Sequence, residues 1–90
     1  MATYLVDRQL AGITMDDLGK AQGAAIRTAD EFRSSGRDVS YLRSIFEPTT
    51  GHCQCLFEGS DESVVAEVND IAGLPYDSIT EVLDLPKPAR

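Results

Sequence analysis

The 90-residue chain sets fifteen acidic side chains against eight basic ones, a net charge of −7. A field of that sign repels phosphate backbones and anionic lipid, which excludes nucleic acid and membrane surfaces as partners, and no run approaches the ~20 apolar residues of a membrane span. A chain this long makes one domain and buries only roughly 60–65% of the surface it exposes when unfolded, so a packed layer from a second copy would add stability.

Thr3 to Leu10 alternates with the two-residue period of a strand, placing Tyr4, Val6 and Leu10 on one side and Leu5, Asp7 and Gln9 on the other. Arg8 is the exception on the apolar side. Gly12 breaks the run, and Thr14 followed by Asp17 reads as a capping pair, with Asp16 and Asp17 suited to the positive end of a helix. The helix that follows carries an apolar stripe of Leu18, Ala21, Ala25, Ala29 and Phe32, widened by Ile26. Gly19 and Gly23 each soften it by up to ~1 kcal/mol relative to alanine, and Ser34-Ser35-Gly36 ends it.

Val39 to Glu47 returns to alternation, with Val39, Tyr41 and Ile45 opposing Leu42 and Phe46. Glu47-Pro48-Thr49-Thr50-Gly51 has the composition of a hairpin loop, and His52 to Glu58 is a third strand with Cys53, Cys55 and Phe57 on one side. Ser60 is the expected N-cap of a second helix, whose stripe is Val64, Val65, Val68, Ile71 and Ala72. Gly73-Leu74-Pro75 stops it. Ile79 to Leu85 is the last strand, and Pro86 to Arg90 is an extended, flexible tail.

Strand, helix, hairpin, helix, strand is βαββαβ order, so residues 1–85 are expected to form one α+β, ferredoxin-like domain: a four-stranded antiparallel sheet with two helices on one face. The opposite face has no cover of its own. Leu5, Leu56 and hydrophobes of the second and fourth strands project there, which predicts a two-fold homodimer through the open sheet face.

In such a sheet the first and third strands are central neighbours. With the cysteines and Phe57 turned toward the helices beside Tyr4 and Val6, strict alternation puts Asp7, Gln9, His52, Gln54 and Glu58 together on the open face. That makes His52, Asp7 and Glu58 candidate ligands for a divalent metal, since imidazole with carboxylate suits nickel, zinc or copper. Plainer readings stand beside it: His52 solvated next to a turn, and Asp7 paired with Arg8 at a strand edge. Cys53 and Cys55, with Cα atoms about 6.6–6.8 Å apart in a strand, sit at the outer limit for a disulfide and read as buried, reduced thiols. Reduced thiols and an N-terminus without the basic and apolar regions of a signal peptide point to the cytoplasm. No Ser/His/Asp arrangement, glycine-rich phosphate loop, His-Glu-x-x-His or EF-hand pattern is present, so no catalytic residue and no organic cofactor is expected.

Tyr4-Leu5-Val6-Asp7-Arg8, Tyr41-Leu42-Arg43-Ser44, Cys55-Leu56-Phe57-Glu58, Ala72-Gly73-Leu74-Pro75 and Ile79-Thr80-Glu81-Val82, in that order and spacing, resemble a family of small bacterial ferredoxin-like proteins of unknown function often labelled nickel-binding. The resemblance spans Thr3 to about Leu85 and implies a dimer that sequesters or handles nickel. One departure is that relatives often carry a histidine inside the second helix, where this chain has Val64 to Ile71 with Asn69 and no histidine. The architecture also resembles the wider group of dimeric α+β barrel proteins. That likeness implies an alternative: a cofactor-independent monooxygenase or isomerase, or a small-molecule-binding module, with its site between two sheets and Asp7 or His52 as base.

Overall fold

The alternation of the first segment becomes β1 (Ala2–Gln9), whose buried residues are Tyr4, Val6 and Arg8. In chain order follow α1 (Met15–Ser34), β2 (Val39–Phe46), β3 (His52–Gly59), α2 (Glu62–Ala72) and β4 (Ser78–Val82). The computed structural model describes residues 1–89; Arg90, the end of the expected tail, lies outside them. The four strands pair antiparallel in the order β2-β3-β1-β4, the ferredoxin-like arrangement expected from the sequence.

Both helices cover the face formed by Tyr4, Val6, Val39, Cys53, Cys55 and Phe57, and this layer is the hydrophobic core. The Tyr41 ring meets Phe57 edge to face, centroids 5.5 Å apart, the favoured aromatic geometry. The start of α1 is as expected, with Thr14 Oγ1 accepting the Asp17 N–H at 3.1 Å. Its buried face is Ala25, Thr28, Ala29 and Phe32, so Thr28 belongs to the stripe and Ile26, 39% exposed, does not. One helical step past Ala25 carries a side chain about 100° round the axis and out of the core.

The start of α2 departs from expectation by one residue. Asp61 rather than Ser60 is the N-cap, its Oδ1 accepting the Val64 N–H at 2.9 Å. Gly73, with φ of 73°, closes the helix in the left-handed conformation. Ile71, expected in the core, is 66% exposed, while Asn69 is fully buried. The asparagine holds that position through polar bonds.

A register shift between Tyr41 and Arg43 in β2 overturns the expected grouping of Ile45 with Val39 and Tyr41. One extra residue at a bulge reverses the alternation, so Ser44 and Phe46 lie opposite the core-facing Cys55 and Cys53, and Ile45 lies opposite Gln54 on the open face. β4 ends at Val82, opposite Thr3, and not at Leu85. The chain then turns back over the open face, where Asp84 Oδ1 accepts from Arg43 Nη2 at 2.8 Å. Arg43 stands on the opposite edge strand across from Leu56, and Leu56 is only 7% exposed. Leu83 and Leu85 remain in solvent. Among the described residues no helix is long and apolar enough to cross a membrane.

Candidate metal site

Register on the two central strands builds the site. Gln9 lies opposite His52 and Asp7 opposite Gln54, so Asp7 and His52 are diagonal neighbours on the open face, close enough for side chains to meet. They do: His52 Nε2 lies 2.8 Å from Asp7 Oδ1. A carboxylate only accepts, so Nε2 carries the proton and donates. In the neutral ring Nδ1 is then a free lone pair, and Glu47 Oε2 is the acidic group nearest to it, at 4.0 Å.

The hairpin fixes Glu47 there. Its backbone N–H donates to the His52 carbonyl at 2.9 Å, closing the loop, and Thr50 Oγ1 donates to Glu47 Oε1 at 3.0 Å while accepting the His52 N–H at 3.2 Å. The loop returns through Gly51, whose φ is +80° and whose place against the backbone of Leu10 and Ala11 leaves no room for a Cβ. The Gly51 carbonyl accepts the Leu10 N–H at 2.7 Å, tying the loop to the end of β1. Both site residues are half-buried, so the pair sits at the rim of the face, open to a solute.

Of the three ligands expected from the sequence, the fold joins Asp7 and His52 and separates Glu58. Glu58 lies opposite Thr3 and Ser40, six positions from His52, or about 20 Å along an extended strand. Glu47 is the neighbour that strand alternation overlooked. Its signal was present in the hairpin, since the residue before Pro48 and the one after Gly51 must face each other across a closed loop. Among the described residues, no group of three or more histidine, cysteine, aspartate or glutamate side chains is arranged to hold a metal ion.

The strand-edge pairing of Asp7 with Arg8 does not form. Consecutive strand residues point to opposite faces, and Arg8 instead donates to Asn69 Oδ1 at 2.8 Å and to the Pro75 carbonyl at 3.1 Å beneath the helices. Cys53 and Cys55 are free and buried, with sulfurs 3.7 Å apart. Burial, followed by the neighbouring Cys55 sulfur, pushes the Cys53 thiol up to about 11 against a weaker downward pull from Arg8. It is therefore protonated near neutrality in the metal-free protein, and a metal would have to displace that proton to bind the sulfur. A cavity of about 300 Å³ lies on this helix-covered side, lined by Arg8 and both cysteines. Asp7 and His52 face the other way, so the protomer does not combine a candidate base with that cavity.

No curated protein matches the chain. The crystal structure of SCO4226 from Streptomyces coelicolor A3(2) superposes with a TM-score of 0.78 at 28% sequence identity, over 98% of this chain and 100% of that one. Residues 4–82 match the family described as nickel responsive protein SCO4226-like. With the match running from β1 to the end of β4, the chain belongs to the SCO4226-like family of nickel responsive proteins.

Proposed function

We propose that this protein binds nickel as a homodimer, in a cytoplasmic setting that keeps its two thiols reduced, and that it sequesters or delivers the metal rather than catalysing a reaction. The observation that carries the reading is the imidazole of His52 held by Asp7 at 2.8 Å, with Glu47 beside the remaining ring nitrogen, in a chain of a nickel responsive family.

The donor set suits the metal. Imidazole and carboxylate are ligands nickel accepts, and a histidine that gives one N–H to a carboxylate presents its other nitrogen in a fixed tautomer and orientation. In this reading His52 ligates through Nδ1, Glu47 supplies an oxygen, and Asp7 orients the ring. One protomer provides only part of a coordination sphere, and the remaining donors come from water and from a second copy packed against the open face. Glu58, remote from His52 within the protomer, joins only by that route.

Calorimetric titration of metal-free protein with nickel, zinc and copper, with sedimentation before and after loading, tests this. Saturable nickel uptake by a dimer is expected, lost in His52→Ala and weakened about 10- to 100-fold in Asp7→Asn, the range for removing a group that orients a ligand. No uptake by the unaltered protein refutes the proposal; unchanged uptake by His52→Ala removes His52 from it.

A further inference from the structure

Arg8 is 3% exposed, and no carboxylate among the described residues pairs with it: every ion pair in the fold involves other residues. Its partners are neutral oxygens, those of Asn69 and Pro75. A buried guanidinium without an anion is costly, and such charges are ordinarily paired. This one borders a cavity of about 300 Å³ between α1 and the sheet. That volume is about ten times the ~30 Å³ share of one water, in an interior where voids larger than a water are few.

The rest of the cavity resembles a ligand site in its division of labour. Its walls are apolar, with Leu10, Leu18, Ala21 and Leu74 among them. Its floor is a strip of directed hydrogen bonds. Gln22 Nε2 donates to Tyr41 Oη at 2.9 Å, Tyr41 lies 2.6 Å from Ser44 Oγ, and Ser44 donates to Cys55 Sγ at 2.9 Å. Because the serine proton goes to sulfur, Tyr41 must donate to Ser44. The strip is satisfied internally, which leaves the Arg8 charge as the one strong polar feature offered to a guest. Gln22 is itself exposed, so the cavity reaches the surface.

We propose that this cavity binds a small monocarboxylate with an apolar body, such as a medium-chain fatty acid, its carboxylate on Arg8 and its tail between α1 and the sheet. A few polar contacts within an apolar enclosure of at least ~300 Å³ is the usual form of a small-molecule site, and a guanidinium favours a carboxylate over any neutral head. The site lies on the opposite side of the sheet from Asp7 and His52, so it stands independently of the metal reading.

The test is a titration of metal-free protein with octanoate, 1-octanol and octylamine, followed by amide chemical shifts. Saturable one-to-one binding of octanoate is expected, with shifts in Leu18, Ala21 and Leu74. Octanol and octylamine should bind at least about tenfold more weakly, the discrimination one charge-assisted hydrogen bond supplies. Arg8→Met should lose the preference for octanoate over octanol. Since that variant also removes bonds to Asn69 and Pro75, Ala21→Phe serves as a second: it fills the cavity from α1 and should abolish octanoate binding while the spectrum stays dispersed. No saturable shift with octanoate, equal affinity for octanol, or unchanged binding by Ala21→Phe each overturns the proposal.

Discussion

Replacing Asn69 by alanine probes the polar link between α2 and β1. The side chain is fully buried; its Oδ1 accepts from Arg8 Nη2 at 2.8 Å and its Nδ2 donates to the Val65 carbonyl at 2.9 Å. Asn69→Ala leaves a buried charged donor short of a partner, which costs about 1.5–3 kcal/mol, and the emptied volume adds roughly 1 kcal/mol. A loss of about 2.5–4 kcal/mol follows. In a domain of this size each kcal/mol moves Tm by about 4–8 °C, so urea denaturation and thermal melting should both register it, the latter as a drop of at least about 10 °C. Most of that loss comes from the stranded charge, so the penalty should shrink in an Arg8→Met background, with a coupling of at least about 1 kcal/mol in the double-mutant cycle. A cost below about 0.5 kcal/mol, or strict additivity of the two substitutions, would refute it.

Gly51 and Gly36 have nearly the same backbone, φ +80° and +88°, but a Cβ at Gly51 would collide with the Leu10 and Ala11 backbone while one at Gly36 meets open space. Both alanine variants should incur the left-handed strain of about 1–2 kcal/mol, and Gly51→Ala should lose at least about 1 kcal/mol more in denaturant titration; equal losses would remove the close approach from the account. Asp61 is held below the ordinary carboxylate range, chiefly by the Val64 N–H that it accepts and then by Ser63. A depressed folded-state pKa gives stability that is present above the unfolded value and lost as pH falls through the folded one. Asp61→Asn, which keeps the cap but not the charge, should therefore flatten the fall in urea midpoint between pH 7 and pH 3; an unchanged slope would show that Asp61 does not drive it.

Local chemistry made most of this fold legible. Thr14 caps through its hydroxyl and Gly73 through its freedom to take a left-handed φ, and the period-2 pattern of β1 and β3 puts Asp7 and His52 on one face. What the sequence hid were features decided by a partner strand. Nothing within Val39–Phe46 marks the bulge that turns Ile45 outward, because the extra residue is defined only against β3. β4 stops at Val82, opposite Thr3, although Ala2 of β1 still pairs with Gly59 on its other side, so the apolar Leu83 and Leu85 do not extend the strand. Hydropathy favours Ile71 over Asn69 because it ranks side chains by transfer to oil, and a buried amide with partners on both sides escapes that ranking. Alternation groups Glu58 with His52 because it assigns a face and says nothing about distance along it.

Asp7 and Arg8, adjacent and opposite in charge, would neutralise each other in a loop. In β1 the pleat sends them to opposite sides of the sheet, where Asp7 finds an imidazole and Arg8 finds only neutral oxygens. β3 repeats the division, with His52 outward and Cys53 inward. Two surfaces of opposite preference, one offering donors to a cation and one offering a charge to an anion, are thus built from the same two consecutive pairs of residues. Register holds them apart: Tyr4, Val6, Cys55 and Phe57 are buried on the helix side, so a one-residue slip of β1 against β3 would expose the core and exchange the two chemistries together. The cost of such a slip falls on the hydrophobic core, which frees the polar residues at either surface to be chosen for what they bind.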